Sequence, residues 1–272
     1  KPNMILGMGG FVAGPGGLAA FLTRTPLVVH EQNAVAGLTN RYLAKFANRV
    51  LTGFKTVGDL NQRIEWVGNP IREDIMALHT KQPSLTQGVI KVLVLGGSQG
   101  AYSLNRYLPA QLTKLAEVIK AQQLDLRVIH QSGVTDQENV AKRYAEEGLP
   151  HTEVQAFIED MAVALEWADL CICRAGAMTV SELCAARKPA LLVPYPFSAG
   201  DHQDHNADVL VDHGAALKID NAELNSPKLL DSLEAMLSTP DQLLSMGERA
   251  AQLYKANALH NVVSVCEEYL HA

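Results

Sequence analysis

The sequence predicts a doubly wound α/β fold built in two parts, each around a parallel sheet. Three observations carry that expectation. Short runs rich in Val, Ile and Leu recur, each ending in Gly or polar residues and each followed by a helical pattern. The runs are continuously apolar instead of alternating, as expected of strands buried on both faces by the helices between them. A polar, aperiodic stretch from Ala77 to Gly88, containing Pro83 and Gly88, then separates a first α/β piece from a second unit.

In chain order, the first run is Met4 to Gly7 and the second, PLVVHE, is Pro26 to Glu31. The second unit starts with IKVLVLGG at Ile90 and continues with LRVIHQSG (Leu126 to Gly133), ADLCICRAG (Ala168 to Gly176) and PALLVPYP (Pro189 to Pro196). From Ser226 onward the pattern is almost entirely helical. The domain expectation is therefore 1–77 for the first domain, 78–89 for a linker and 90–255 for the second domain. A C-terminal helix over 256–272 is expected to pack back toward the first. The first piece has few strands for a sheet of its own, and the chain opens only a residue or two before one. Both features predict an N-terminal portion absent from this chain.

Composition narrows the function classes. The chain has 272 residues, 47% hydrophobic and 19% charged, with a net charge of −6. No global basic field is present to hold nucleic acid. Its four cysteines form no C-x-x-C and have no His/Cys ligand set beside them, so they read as buried reduced thiols. No run is long and apolar enough to span a membrane.

In open parallel sheets, ligands bind beyond the carboxyl ends of the strands. One such exit reads GGSQGAYSLN, Gly96 to Asn105: either a phosphate-binding loop leading into a helix N-terminus or a tight turn. It lacks the lysine of a Walker loop, and Ser98 replaces the second glycine of a dinucleotide fingerprint. HEQNAVAGLTN, His30 to Asn40, gathers more polar groups than a cap by Asn33 requires. In GNPIRED, Arg72 reads as a solvated charge or an anion clamp, and His130 in HQSG reads as structural. SAGDHQDHNADVL, Ser198 to Leu210, suits a hydrogen-bonding helix start better than a metal site, with Gln203 able to both donate and accept.

RAGAMTVSE, Arg174 to Glu182, poses a sharper choice. Thr179 and Glu182 could form a capping box. Alternatively, Glu182 faces a ligand, with Ala175 to Ala177 kept small so that the ligand can approach the backbone. The sequence holds no H-E-x-x-H or D-x-D. A diphosphate would then be held by loop amides and helix dipoles, with no metal or other cofactor.

The motifs LGMGGFVAGPGGLAA, HEQNAVAGLTN, VGNPIR, LGGSQGA, RAGAMTVSE and DHQ…NA, in this order, closely resemble the MurG family of bacterial N-acetylglucosaminyltransferases. The resemblance runs almost the length of the chain. It implies the GT-B architecture, two Rossmann-like domains facing a cleft, with the first incomplete here. It further implies an inverting transfer of N-acetylglucosamine from UDP-N-acetylglucosamine to lipid I, giving lipid II, on the cytoplasmic face of the bacterial inner membrane with peripheral contact. Ser98 and Arg72 would meet the diphosphate, and Ala177, Met178, Thr179, Val180, Ser181 and Glu182 would wrap the nucleotide and sugar. Ile158 would offer its backbone to uracil, although periodicity alone makes Phe157 and Ile158 core. Gln203 would contact the sugar, with Asn206 as the alternative, and Asn33 would belong to the acceptor wall.

The chain departs from the family in lacking its N-terminal glycine-rich loop ending in histidine and in carrying Phe11 where many relatives have Tyr. The base is left open among His30, Glu31 and a residue preceding Lys1. Two rival readings share the architecture: a UDP-N-acetylglucosamine epimerase, and a fragment that binds UDP-sugar without turnover.

Overall fold

The computed structural model describes residues 2–60, 63–97, 100–237 and 239–270. The first half contains β1 (Ile5–Gly7), α1 (Gly10–Thr23), β2 (Leu27–Glu31), α2 (Leu38–Leu43), β3 (Arg49–Thr52) and β4 (Glu65–Trp66). Its four strands form a parallel sheet in the order β1-β2-β3-β4. A short α3 (Glu73–Met76) and a 3₁₀ turn at Ala77–Thr80 lead into the second half.

That half runs β5 (Val89–Leu95), α4 (Tyr102–Lys120), β6 (Asp125–Gln131), α5 (Gln137–Glu147), β7 (Thr152–Gln155) and α6 (Met161–Trp167). It continues through β8 (Leu170–Cys173), α7 (Ala177–Ala186), β9 (Ala190–Leu192), α8 (His202–Val211) and β10 (Ala216–Lys218). The helices α9 (Pro227–Met236), α10 (Pro240–Gln252) and α11 (Ala258–Glu267) close the chain. The six strands form a parallel sheet ordered β10-β9-β8-β5-β6-β7. Its order reverses between β5 and β8, the topological switch point where such sheets bind ligands.

The continuous apolar runs have a direct cause. Leu93, Leu95, Cys171, Cys173, Ala190 and Leu192 enter one core cluster, while their neighbours Val92, Val94, Leu170, Ile172 and Leu191 enter another. Each strand therefore buries both faces and has no solvent side to fill with polar residues. Cys171, Cys173 and Cys184 lie within the first of these clusters as free thiols. Burial pushes Cys171 and Cys184 up to about 12, so they stay protonated and inert at neutral pH.

The chain crosses between the halves earlier than the polar stretch 78–89 suggests. Ile71, Ile75 and Leu78 belong to the same cluster as Leu183 and Cys184 of α7, so residues expected in the first domain pack on the second. Ile75 and Leu78 lie three residues apart on one helical face, and that face needs an apolar partner.

The return crossing brings α11 onto the first sheet, where Val262 and Val265 pack against Val28, Leu51 and Val67. Asn261 donates from Nδ2 to the Val67 carbonyl at 3.2 Å. The two crossings touch at Gly68, which has φ +91°; a Cβ there would sit 2.9 Å from the Lys255 Cβ and 3.0 Å from that of Ala258. Gly68→Ala is expected to cost about 1–3 kcal/mol of unfolding free energy through strain and crowding together. Urea denaturation checks this, and an unchanged midpoint would contradict it.

Candidate functional site

The cleft is built where strands of the second sheet end. After β5 the chain turns at Gly96 and Gly97 before α4. A Cβ on Gly96 would lie 2.7 Å from the Gln131 carbonyl and 2.9 Å from the Ala101 amide, so only glycine fits so tight a loop. Gly97 has φ +76° with open space beyond it, leaving its backbone accessible to a ligand. Ser98, expected at the diphosphate, lies outside the described residues. Across the switch point, Gly176 caps α7, whose first amides have no partner within the helix and which directs the positive end of its dipole at the same space.

A cavity of about 350 Å³ joins these features, lined by Arg72, Gly96, Gly97, Ile158, Arg174, Thr179, Glu182 and Gln203 among others. Of the residues singled out in the sequence, Arg72, Ile158, Thr179, Glu182 and Gln203 therefore share one cleft. The capping box does not form. The helix begins at Ala177 after Gly176, placing Thr179 within the first turn instead of at the cap, and no side chain caps it. Among the described residues, Glu182 makes no hydrogen bond or ion pair. Burial raises its pKa above the ordinary carboxylate value, Arg72 pulls it down and Asp74 pushes it up. It is a half-buried carboxylate lining the cleft, without a partner among the described residues.

Gln203 is held by its Oε1, which accepts from the Tyr195 amide at 2.8 Å, leaving its amide nitrogen for other contacts. Ile158 is buried while Phe157 is 55% exposed, so periodicity was correct for only one of the pair.

Other expected residues point elsewhere. Val180 is fully buried in the core. Ser181 donates to the Ala177 carbonyl at 2.9 Å and accepts from Asn69 Nδ2 at 2.9 Å, so its hydroxyl is directed to the first half. Neither side chain lines the cavity; nor do those of Ala177 and Met178. Asn33 does not line that cavity either; its side chain accepts from Asn206 Nδ2 at 3.1 Å and donates to Glu31 at 3.0 Å.

The polar cluster after β2 turns out to be a self-contained knot. Glu31, 2% exposed, accepts from the Asn33 and Gly37 amides and from the side chains of Asn33 and Asn40. His30 is fully buried, with Nε2 donating to the Gly68 carbonyl at 2.9 Å and Nδ1 accepting from Gln32 at 3.2 Å. Burial lowers the His30 pKa, opposed by that carbonyl and by Glu31. The expectation that His30 or Glu31 could act as the base is corrected: both are buried and occupied in holding the loop. His130 is structural as expected. It lies between the Tyr144 hydroxyl and Asn105 Oδ1, and burial pushes it down to about 3.

Sequence reasoning missed Arg174 as a cleft residue. It follows the last residue of β8 directly. Its guanidinium donates to the Val193 and Pro194 carbonyls at 3.0 and 3.1 Å and to Ser103 Oγ at 2.8 Å. It also lies over the Tyr195 ring, 5.6 Å from its centre. A cation in first position after a fully buried strand was the available signal. With Arg72, it gives the cleft two guanidinium groups beside two helix N-termini.

Two parallel-sheet α/β halves around such a cleft define the GT-B architecture. The glycosyltransferase family 28 C-terminal domain matches residues 91–262, and that family's N-terminal domain matches residues 1–52. A curated relative from Halorhodospira halophila is 46% identical over 273 residues, covering 100% of this chain and 74% of the relative. It is named a UDP-N-acetylglucosamine–N-acetylmuramyl-(pentapeptide) pyrophosphoryl-undecaprenol N-acetylglucosamine transferase. The crystal structure of Acinetobacter baumannii MurG superposes with a TM-score of 0.86 at 36% identity, over 98% of this chain and 73% of that one. The chain belongs to glycosyltransferase family 28 and, within it, to the MurG family. A putative UDP-N-acetylglucosamine 2-epimerase from Listeria monocytogenes shares the fold alone, with a TM-score of 0.65 at 12% identity over 99% of this chain and 75% of that one.

Proposed function

We propose that this chain transfers N-acetylglucosamine from UDP-N-acetylglucosamine to the lipid-linked muramyl acceptor lipid I, with inversion, giving lipid II. The observation that carries the reading is the unpartnered Glu182 carboxylate in a cleft that otherwise presents guanidinium groups and helix amides. A nucleoside diphosphate needs both signs: cations and amide donors for its phosphates, and an acceptor for its ribose hydroxyls.

In this reading the uracil lies at the Ile158 backbone and the diphosphate at Gly96–Gly97, Ser98 and Arg72. Ala177 to Thr179 supply the α7 N-terminal amides, and Gln203 contacts the transferred sugar. Val180 and Ser181 hold that turn from behind. Asn33 belongs to the acceptor wall. As the acceptor hydroxyl attacks the anomeric carbon, negative charge grows on the departing UDP, where preorganised donors stabilise it without reorganising. UDP-N-acetylglucosamine incubated with lipid I should yield UDP and a lipid-linked disaccharide. Free epimerised sugar without lipid product would select the epimerase reading. UDP binding without either product would select binding alone.

Peripheral membrane contact, on the cytoplasmic face of the bacterial inner membrane, follows from the same proposal. No described helix is long and apolar enough to cross a membrane. The helix α1 carries no charged residue, yet exposes Phe11 at 87%, Leu22 at 72% and Phe21 at 58%. Phe21 packs against Phe46; the exposed Arg24 follows α1 directly, and the exposed Lys45 adjoins Phe46 in sequence. An apolar surface with cations beside it suits an anionic bilayer. Replacing Phe21 and Leu22 by Glu should abolish co-sedimentation with anionic vesicles and leave UDP affinity unchanged. Retained sedimentation would contradict the assignment.

A further inference from the structure

The two halves are joined at buried amides that do not line the nucleotide cleft. Asn206, 1% exposed on α8, accepts at Oδ1 from the Ala34 amide at 2.8 Å. Its Nδ2 donates to Asn33 Oδ1 and to the Ala175 carbonyl, each at 3.1 Å. One side chain thus ties the loop after β2 to the residue that leads into α7.

Asn69, 4% exposed where the chain leaves the first sheet, does the same from the other side of α7. Its Nδ2 donates to the Gln32 carbonyl at 3.0 Å and to Ser181 Oγ at 2.9 Å. A Cβ on Gly53 would collide with this amide, so Asn69 is wedged in place as well as bonded. Both anchors grip residues 32–34 of the first half. On the second half, one grips the residue before Glu182 and the other the residue two positions before Ala177.

We propose that Asn69 and Asn206 are positioning residues that hold the donor half in a single register on the 32–34 loop. Transfer then depends on them while nucleotide binding does not. Asn206 uses the donor and the acceptor of its amide together, whereas Asn69 uses both protons of its Nδ2 and leaves Oδ1 buried without a partner among the described residues; a carboxylate lacks the donor in either place. The consequence for transfer rests on the proposed function; the geometry does not.

The test uses spin labels on cysteines placed at the exposed Lys55 and Lys142, with Cys266→Ser to remove the half-buried native thiol. Distances are measured with UDP bound. Asn206→Asp and Asn69→Asp keep the shape but lose the donor, and Asn206→Ser provides a milder variant if an aspartate fails to fold. The parent should give one narrow distribution, and the variants a broadened or shifted one. UDP affinity should stay within about threefold while kcat/KM for transfer falls at least about tenfold. An unchanged distribution overturns the proposal whatever happens to transfer. So does a loss of UDP affinity equal to the loss of transfer. If the parent itself makes no lipid product, the transferase reading fails, and the distance distributions alone decide the role of the two amides.

Discussion

Arg72→Ala is expected to lower kcat for transfer by roughly 10²–10³-fold, the loss typical when a preorganised donor to developing negative charge is removed. Arg72 lines the cleft beside Gly96 and Gly97, and a charge there acts most strongly when the sugar–phosphate bond is broken and UDP carries its full charge. Arg174 cannot replace it, because three of its donor contacts are already committed to Val193, Pro194 and Ser103. Arg72→Lys should recover part of the rate, since an ammonium supplies charge without the bidentate fork. Steady-state kinetics with both substrates decide the matter. A raised donor KM with unchanged kcat would show that Arg72 binds the ground state only.

Glu182→Ala is expected to raise the donor KM about ten- to a hundredfold, from charged hydrogen bonds to the ribose worth about 1.5–3 kcal/mol. With saturating donor, kcat should be nearly unchanged. A large fall in kcat at constant KM would contradict a recognition role. Binding through an ionised carboxylate also makes UDP affinity fall as pH drops through the raised pKa of Glu182, above the ordinary carboxylate range. Glu182→Gln should flatten that profile.

Stability without nucleotide moves the other way. The folded state holds the Glu182 proton more tightly than the unfolded chain does. The group's favourable contribution is therefore complete below its unfolded pKa and is lost as pH rises through the folded one. At neutral pH, Glu182→Gln should raise Tm in the absence of ligand while weakening UDP binding. A lowered Tm would mean that the carboxylate has a partner in the fold.

Strands β2, β5, β6, β8 and β9 were legible because burial on two faces leaves a continuous apolar run; β3, central in the first sheet, was not, because its four residues RVLT hold only two apolar ones between Arg49 and Thr52. β7 and β10 were not, since both lie at sheet edges and are short, and β7 reads TEVQ with one large apolar residue. β4, two residues long at the edge of the first sheet, gives no periodicity to read. At the site, glycine spacing and strand exits located the cleft, and Glu182 lines it because Gly176, not Thr179, starts the helix. What the pattern left hidden is which polar groups satisfy one another. His30 and Glu31 have the chemistry of a base, but their hydrogen bonds are spent inside the fold. Ser181 has the chemistry of a ligand contact, but it answers Asn69, 112 positions away in sequence. Arg174 appeared as one more charge after a strand until its bracing placed it in the cleft wall.

The structure of this chain with UDP bound tests the role of the cleft most directly. Uracil should lie against the Ile158 backbone, the ribose hydroxyls on Glu182 and the diphosphate between Gly96–Gly97 and Arg72. UDP seated in another cavity, or in this cleft with its ribose turned away from Glu182, would contradict that role.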